Sequence, residues 1–443
     1  MSALTLFLPC AGGVEDFLAD EVHGLTGLVG QDLLTVRGGV RVRGDPGTAM
    51  RLNLWSRLAQ RVLIELAHAP YRDEQDLYAL AAGVRWEDWF SAHQTFRVDL
   101  TAQGSPLRSL NFATLRIKDA VADRFRAQAG GVRPSIDTRR PDARVQAHLT
   151  ATDASLYIDT SGEPLFKRGW RQDKGDAPLK ETLAAAMLAA SGWWRPAARQ
   201  VADAPLYDPC CGSGTIVIEA AQLVLGLPPG GQRRFGFERL RPFERAAWQA
   251  IRDEAAALPA ARAEPRVFGS DVAHRMVDFA QRNAERAGVA RALQLRGGDA
   301  LQRLPPSDTP GVLLMNPPYG ERIAADVETV EAHLLVALVP REALLQRPAE
   351  CAVTHRWLPA DLFPDRIRPS RHSALVAGGI CGNGDEAIRF AHGKRLKQQR
   401  MHEREDCRRC ANPQRQRERG HPDHGHRTKH AEGQANVVAQ PRS

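Results

Sequence analysis

Leu206-Tyr207-Asp208-Pro209-Cys210-Cys211-Gly212-Ser213-Gly214-Thr215-Ile216-Val217-Ile218 is the stretch that decides the fold. A short apolar run ends on a carboxylate, a Pro- and Gly-containing turn follows, and a second apolar run begins at Thr215. The pattern predicts a strand, a tight loop and a helix. Gly212 and Gly214 permit backbone angles and close approaches that a Cβ would block. Further short apolar runs alternate with helical stretches at Val267-Phe268, Leu293 to Leu295, Val312 to Met315 and Cys351 to Thr354. That alternation predicts a doubly wound, Rossmann-like parallel sheet, in which ligands bind beyond the carboxyl ends of the strands.

A helix starting at Thr215 presents unpaired N–H groups and partial positive charge to an anionic ligand. Asp208 ends the first strand, Asp271 the second, and Asp299 follows the third. Asp208 suits an amino or sulfonium group, Asp271 a pair of ribose hydroxyls, and Asp299 an adenine amino group. Each could instead cap a helix, the commoner fate of a lone Asp after a strand, but three after successive strands exceed what capping requires. No Gly-Lys-Ser/Thr follows the loop, which disfavours a nucleotide triphosphatase; a nicotinamide enzyme is the alternative for this half taken alone.

Asn316-Pro317-Pro318-Tyr319-Gly320 weighs against the nicotinamide reading. An exocyclic amine on a purine is a poor nucleophile until its N–H bonds are held by acceptors. The Asn316 side-chain oxygen and a neighbouring carbonyl can supply two. Pro317 and Pro318 restrict the backbone around them, and Tyr319 offers a face for stacking. The alternative is a Pro-Pro turn capped by Asn. Together with the glycine loop, the tetrapeptide points to methyl transfer from S-adenosylmethionine to a planar amino group, most simply on a nucleic-acid base, with no metal required.

The 443 residues suggest two or three domains, and 43% apolar residues suffice for real cores. No apolar run is long enough for a membrane span, and seven scattered cysteines fit a reducing compartment, so a cytoplasmic protein is expected. The formal charge is +8, but residues 391–443 hold 13 Lys/Arg against 6 Asp/Glu, leaving 47 against 46 before them. A nucleic-acid surface on the folded part must therefore be a local patch. The tail lacks core-forming residues and is expected to be a disordered basic extension. Its Cys407, Cys410, His421 and His424 have zinc-like spacing without a packed core, so no metal is expected.

Ahead of the glycine loop, strands are predicted at Leu4 to Leu8, around Val36 to Val42, at 95–101, at Arg144 to Thr150 and at Ser155 to Asp159. Helices are predicted at Val14 to Val22 and Asn111 to Gln128. The latter is expected to carry Phe112, Leu115, Val121 and Phe125 on or near one face. Residues 227–262, with Phe235-Gly236-Phe237 and Trp248, read as an insertion between the first two strands of the parallel sheet. The expected division is 1–50, 51–160, a connector at 161–177, a nucleotide-binding unit at 178–390 and the tail at 391–443.

Phe112-Ala113-Thr114-Leu115-Arg116-Ile117-Lys118-Asp119-Ala120-Val121 resembles the helix of THUMP domains. Thr160-Ser161-Gly162-Glu163-Pro164-Leu165-Phe166-Lys167-Arg168-Gly169-Trp170-Arg171 and Ala177-Pro178-Leu179-Lys180-Glu181 resemble the segments that follow in THUMP-domain class I RNA methyltransferases. Among these, residues 1–375 are most similar to the bacterial enzymes that form N2-methylguanosine in large-subunit ribosomal RNA. The resemblance implies a ferredoxin-like subdomain and a THUMP RNA-binding domain ahead of the methyltransferase domain. It implies S-adenosyl-L-methionine held by Asp208, Pro209, Cys211, Gly212, Ser213, Gly214, Thr215, Asp271 and Asp299, and a target amine held by Asn316, Pro317, Pro318 and Tyr319. It further implies that Arg116, Lys118, Lys167 and Arg168 would contact RNA and that 23S rRNA would be the substrate. Transfer-RNA guanine N2, adenine N6 of DNA, and a non-catalytic RNA-binding or assembly role are the alternatives. Cys210 departs from the family pattern, and neither cysteine of the loop is expected to be catalytic.

Overall fold

The computed structural model describes residues 3–128, 130–175, 178–257, 266–300, 302, 306–316 and 335–339. The first half runs β1 (Leu4–Pro9), α1 (Glu15–Thr26), β2 (Leu33–Val36), β3 (Gly39–Gly44), α2 (Pro46–Trp55) and β4 (Leu63–Pro70). It continues through α3 (Glu74–Gly83), β5 (Thr95–Ala102), α4 (Leu110–Gln128), β6 (Ser135–Ile136), β7 (Ala143–Leu149) and β8 (Asp153–Asp159). All eight strands join one sheet ordered β2-β3-β1-β4-β8-β7-β5-β6. In β7 every second residue, from Ala143 to Leu149, is buried, so one face meets the core. β8, hydrogen-bonded on both edges by β4 and β7, is buried along nearly its whole length.

Two expectations change here. A boundary after residue 50 falls inside α2, whose start is fixed by a capping box between Asp45 and Thr48, and β1 pairs directly with β4 at Leu6↔Ile64. The first two expected domains therefore share a sheet. On α4 the buried stripe is Ala113, Ile117, Ala120, Val121 and Phe125, while Phe112 and Leu115 are 51% and 49% exposed. The i, i+4 rows seat the small alanines against the sheet and turn Phe112 and Leu115 outward.

The second half contains α5 (Glu181–Ala190), the short hairpin β9 (Trp194–Arg195) and β10 (Gln200–Val201), then β11 (Leu206–Asp208), α6 (Thr215–Val224) and α7 (Arg245–Ala257). These lead into β12 (Val267–Asp271), α8 (His274–Arg286), β13 (Leu293–Gly297), β14 (Gly311–Met315) and β15 (Leu335–Val339). Pro178 precedes α5. The sheet order is β13-β12-β11-β14-β15, with β13, β12, β11 and β14 parallel and β15 antiparallel to β14. Successive strands are laid down outward from β11 to β13 and then on the other side of β11 at β14, so the strand order reverses between β11 and β14, the switch point of a doubly wound sheet. The strand expected at Cys351 to Thr354 and the tail lie outside the described residues.

The expected connector is packed rather than loose. Leu165, Arg168 and Trp170 are almost fully buried. Arg233, from the insertion, donates to the carbonyls of Ser161, Glu163, Pro164 and Lys167. The insertion folds back on the first half. Gly236 approaches so closely that an added Cβ would lie 2.8 Å from the Gly162 nitrogen, and the Phe237 N–H bonds the Thr160 carbonyl at 2.8 Å. Trp248 stands edge-on to Phe235 and Phe237, and Arg51 of α2 forms two 2.8 Å bonds with Glu254 of α7. Connector and insertion thus tie the two sheets into one packed body.

Candidate active site

β11 and β12 run in register with Asp208 opposite Gly269, and β12 and β13 with Asp271 opposite Gly297. Asp299 follows β13 and Asn316 follows β14. Strand order therefore lines up Asp299, Asp271, Asp208 and Asn316 along one carboxyl edge, a row about 14 Å long at ordinary strand spacing. Pro317, Pro318 and Tyr319 lie outside the described residues.

The loop between β11 and α6 is fixed by its backbone. Gly212 and Gly214 have φ of 53° and 91°, where a side chain is strained, and a Cβ on Gly214 would come within 3.0 Å of Ala280 on α8. The Cys211 N–H bonds the Ser270 carbonyl at 2.8 Å, and the Gly212 N–H bonds Asp271 Oδ2 at 3.0 Å. Gly214 is the N-cap of α6 and carries no capping side chain. The capping alternative fails for two of the three carboxylates, because α6 is capped by Gly214 and α8 by Ala273. Asp271 nevertheless has a structural part, since its Oδ1 also accepts from the Ala273 N–H at 2.9 Å. Each carboxylate oxygen keeps a second lone pair for a ribose hydroxyl.

Asp208 is 1% exposed and accepts the Cys210 N–H at 3.0 Å. Burial raises its pKa to about 8, the single backbone bond opposing and the neighbouring Asp271 charge adding to the rise. Such a carboxyl is primed to gain from a cationic ligand. Burial, with the nearby carboxylates adding to it, pushes the Cys210 thiol up to about 12 and the Cys211 thiol well above its ordinary value, so neither is a thiolate nucleophile.

Sequence reasoning missed the residues that hold this loop from outside. Asn283, fully buried on α8, donates to the Ser213 carbonyl at 3.0 Å and to the Asp173 carbonyl at 2.8 Å. Asp173 pairs with Arg282 and Arg286, and those cations lower its pKa to about 2. Arg171 donates from Nη2 to Thr215 Oγ1 at 2.7 Å and from Nε to Glu181 Oε1 at 2.8 Å. The signal was present as Arg171 and Asp173 in the connector, but only the fold brings that segment against the glycine loop.

The expected RNA contacts divide. Arg168 is corrected: it is 2% exposed, with Nε on Glu219 at 3.1 Å and its other nitrogens on the Leu165 and Arg57 carbonyls. A guanidinium enclosed by its own fold cannot reach a phosphate. Lys167 stays at the surface, paired with Glu163. Arg116 lies over the Tyr78 ring at 4.6 Å and donates to Gln75 Oε1, and Lys118 pairs with Asp119. Both remain on the open side of α4, beside exposed Phe112 and Leu115.

Three family descriptions match the chain in succession: an RlmL ferredoxin-like domain over residues 5–63, a THUMP domain over 71–159 and an RMKL-like methyltransferase domain over 168–339. A solved chain assigned as a methyltransferase and complexed with SAH is 30% identical, with a TM-score of 0.64 over 74% of this chain and 83% of its own. The chain belongs to the THUMP-containing methyltransferase family. A second solved relative, from Listeria monocytogenes, whose name predicts an N6-adenine-specific DNA methylase, is 31% identical with a TM-score of 0.65, over 74% of this chain and 82% of its own. Among curated relatives, the ribosomal RNA large subunit methyltransferase K/L of Psychromonas ingrahamii is 37% identical over 332 residues. That match covers 74% of this THUMP methyltransferase and 43% of the relative, so the chain spans less than half the length of the curated relatives it matches. Among the described residues of this family member, no cluster of metal-binding side chains occurs and no helix is long and apolar enough to cross a membrane.

Proposed function

We propose that this chain transfers a methyl group from S-adenosylmethionine to the exocyclic N2 of guanine in RNA, with 23S rRNA as the substrate. The observation that carries the reading is the row Asp299, Asp271, Asp208 and Asn316 along one sheet edge, in a chain whose curated relatives are named as rRNA methyltransferases and which is also similar to a solved methyltransferase complexed with SAH. The residues fit the cofactor. The glycine loop leaves a cradle that side chains would fill, Asp271 and Asp299 suit the ribose and adenine, and Asp208 suits the ammonium or sulfonium. Pro209, Cys211, Ser213 and Thr215 shape the loop around it.

Bound there, the cofactor supplies an electrophilic methyl. The protein's task is to hold an amine in line with that methyl and to draw on its N–H bonds, and Asn316 with the following Pro317, Pro318 and Tyr319 serves that task. Orientation of two bound reactants supplies much of the rate in such transfers. Arg116, Lys118 and Lys167 serve as RNA contacts, engaging phosphate rather than base sequence. The methyltransferase domain begins near residue 178 and the RNA-binding part ends near residue 160.

Incubation of the full chain with methyl-labelled S-adenosylmethionine and unmodified 23S rRNA, followed by nucleoside analysis, tests the proposal. N2-methylguanosine is the expected product. Label in N6-methyladenosine, or in tRNA but not 23S rRNA, would replace the substrate, and absence of transfer despite SAH binding would favour a non-catalytic RNA-binding role.

A further inference from the structure

Arg171 has one nitrogen that the fold leaves over. Its Nε meets Glu181, its Nη2 meets Thr215 Oγ1 and the Leu179 carbonyl, and its side chain is 13% exposed. Nη1 is buried and has no hydrogen-bond partner among the described residues. Arg168, three residues earlier and more enclosed still at 1% exposure of its side chain, engages all three of its nitrogens. A buried N–H without a partner is unfavourable, and of the two arginines that carry one among the described residues, Arg171 and Arg233, Arg171 is the one that also grips the first residue of α6.

The neighbourhood of Nη1 identifies its partner. Thr215 is the first residue of α6, and Nη1 shares a carbon with the nitrogen that grips it. The N-cap, Gly214, brings no side chain to the first-turn N–H groups, so this helix start retains donors for an anion. The strand ends beside it contribute Asp208 and Asp271, which favour a cation. A ligand with an ammonium and a carboxylate on one carbon matches this division of charge. Arg286, which also borders the connector, is already engaged by Asp173, and Arg168 by Glu219.

We propose that Arg171 binds the carboxylate of the cofactor's amino-acid end through Nη1, together with the first turn of α6. The inference rests on the cofactor reading above. It makes the connector, not only the parallel sheet, a wall of the cofactor site, and it gives a reason for Glu181 to hold Arg171 and for Asn283 to tie Asp173 to the Ser213 carbonyl of the glycine loop. Arg171 is a binding residue that orients the cofactor and takes no part in proton or methyl movement.

The test is isothermal titration of the full chain with S-adenosylhomocysteine and with its decarboxylated analogue, S-adenosyl-3-thiopropylamine. The wild-type chain is expected to bind the first at least tenfold more tightly, and Arg171→Gln to lose that preference while keeping its affinity for the analogue within about twofold. Equal weakening of both ligands, or an unchanged preference in the variant, would overturn the assignment in favour of a structural arginine. If Arg171→Gln does not fold, Arg171→Lys is titrated with the same pair. A wild-type chain that does not distinguish the two ligands overturns the inference whatever the variants do. A wild-type chain that binds neither ligand overturns the cofactor reading itself.

Discussion

Arg168 of the connector and Glu219 of α6 are joined by a 3.1 Å ion pair in the interior, and the second oxygen of Glu219 accepts from Arg57 at 3.0 Å. Glu219 is 0% exposed, on a helix otherwise almost wholly apolar. One carboxylate thus links the amino-terminal half, the connector and the helix that follows the glycine loop. Two buried cations depend on it.

Replacing Glu219 with Gln should leave both guanidiniums without their counter-ion. Breaking a buried pair from one side costs about 3–5 kcal/mol. Urea unfolding followed by intrinsic fluorescence should show a loss of that size, and a loss below about 1 kcal/mol would show that the pairs contribute little.

Asp208 should make stability depend on pH. Its folded-state pKa lies near 8, above the ordinary carboxyl value of 3.8. Its contribution is therefore fully present below about pH 4 and is lost as pH rises towards 8. Asp208→Asn removes that loss, so its melting temperature should exceed that of the wild type at pH 8 by about 10 °C or more, since about four pKa units correspond to roughly 5 kcal/mol and each kcal/mol shifts Tm by roughly 2–4 °C in domains of this size. The advantage should vanish near pH 4. The same variant should bind S-adenosylhomocysteine more weakly, and a gain in stability without a loss of affinity would remove Asp208 from the cofactor site.

Asn316→Ala and Asp271→Ala should separate transfer from binding. The first should reduce kcat by roughly 100-fold or more, as for removal of a group that stabilises the transition state, with cofactor affinity nearly intact. The second should weaken the cofactor first, and should also loosen the loop because the Gly212 and Ala273 N–H groups lose their acceptor. Equal loss of cofactor affinity in both variants would refute the division of roles.

Arg116→Glu with Lys118→Glu tests the surface of α4. Thermal stability and cofactor affinity should change little, because surface substitutions shift stability by about 0.5 kcal/mol or less. RNA affinity should fall and its salt dependence become shallower. Unchanged RNA affinity would leave Arg116 as the partner of Tyr78 and Gln75 and nothing more.

Local chemistry made much of this molecule readable. The alternation of Leu206-Tyr207, Val267-Phe268 and Val312 to Met315 with helical stretches announced a parallel sheet, because period and turn residues act over a few positions. Gly212 and Gly214 announced a strained loop for the same reason. On α4, by contrast, hydrophobicity alone misplaced Phe112 and Leu115. Small alanines form the buried stripe there, and only the surface they pack against reveals it.

By itself the sequence determined the order of elements, the glycine loop and the three carboxylates with Asn316 at successive strand ends, since each depends on neighbours in the chain. Tertiary structure alone decided that Arg168 is enclosed while Lys167 is exposed, and that Arg171 reaches Thr215. Adjacent basic residues in an irregular segment carry the same local signal. What separates them is a distant carboxylate, Glu219, and a distant helix start, and the desolvation of a charge is settled by those contacts.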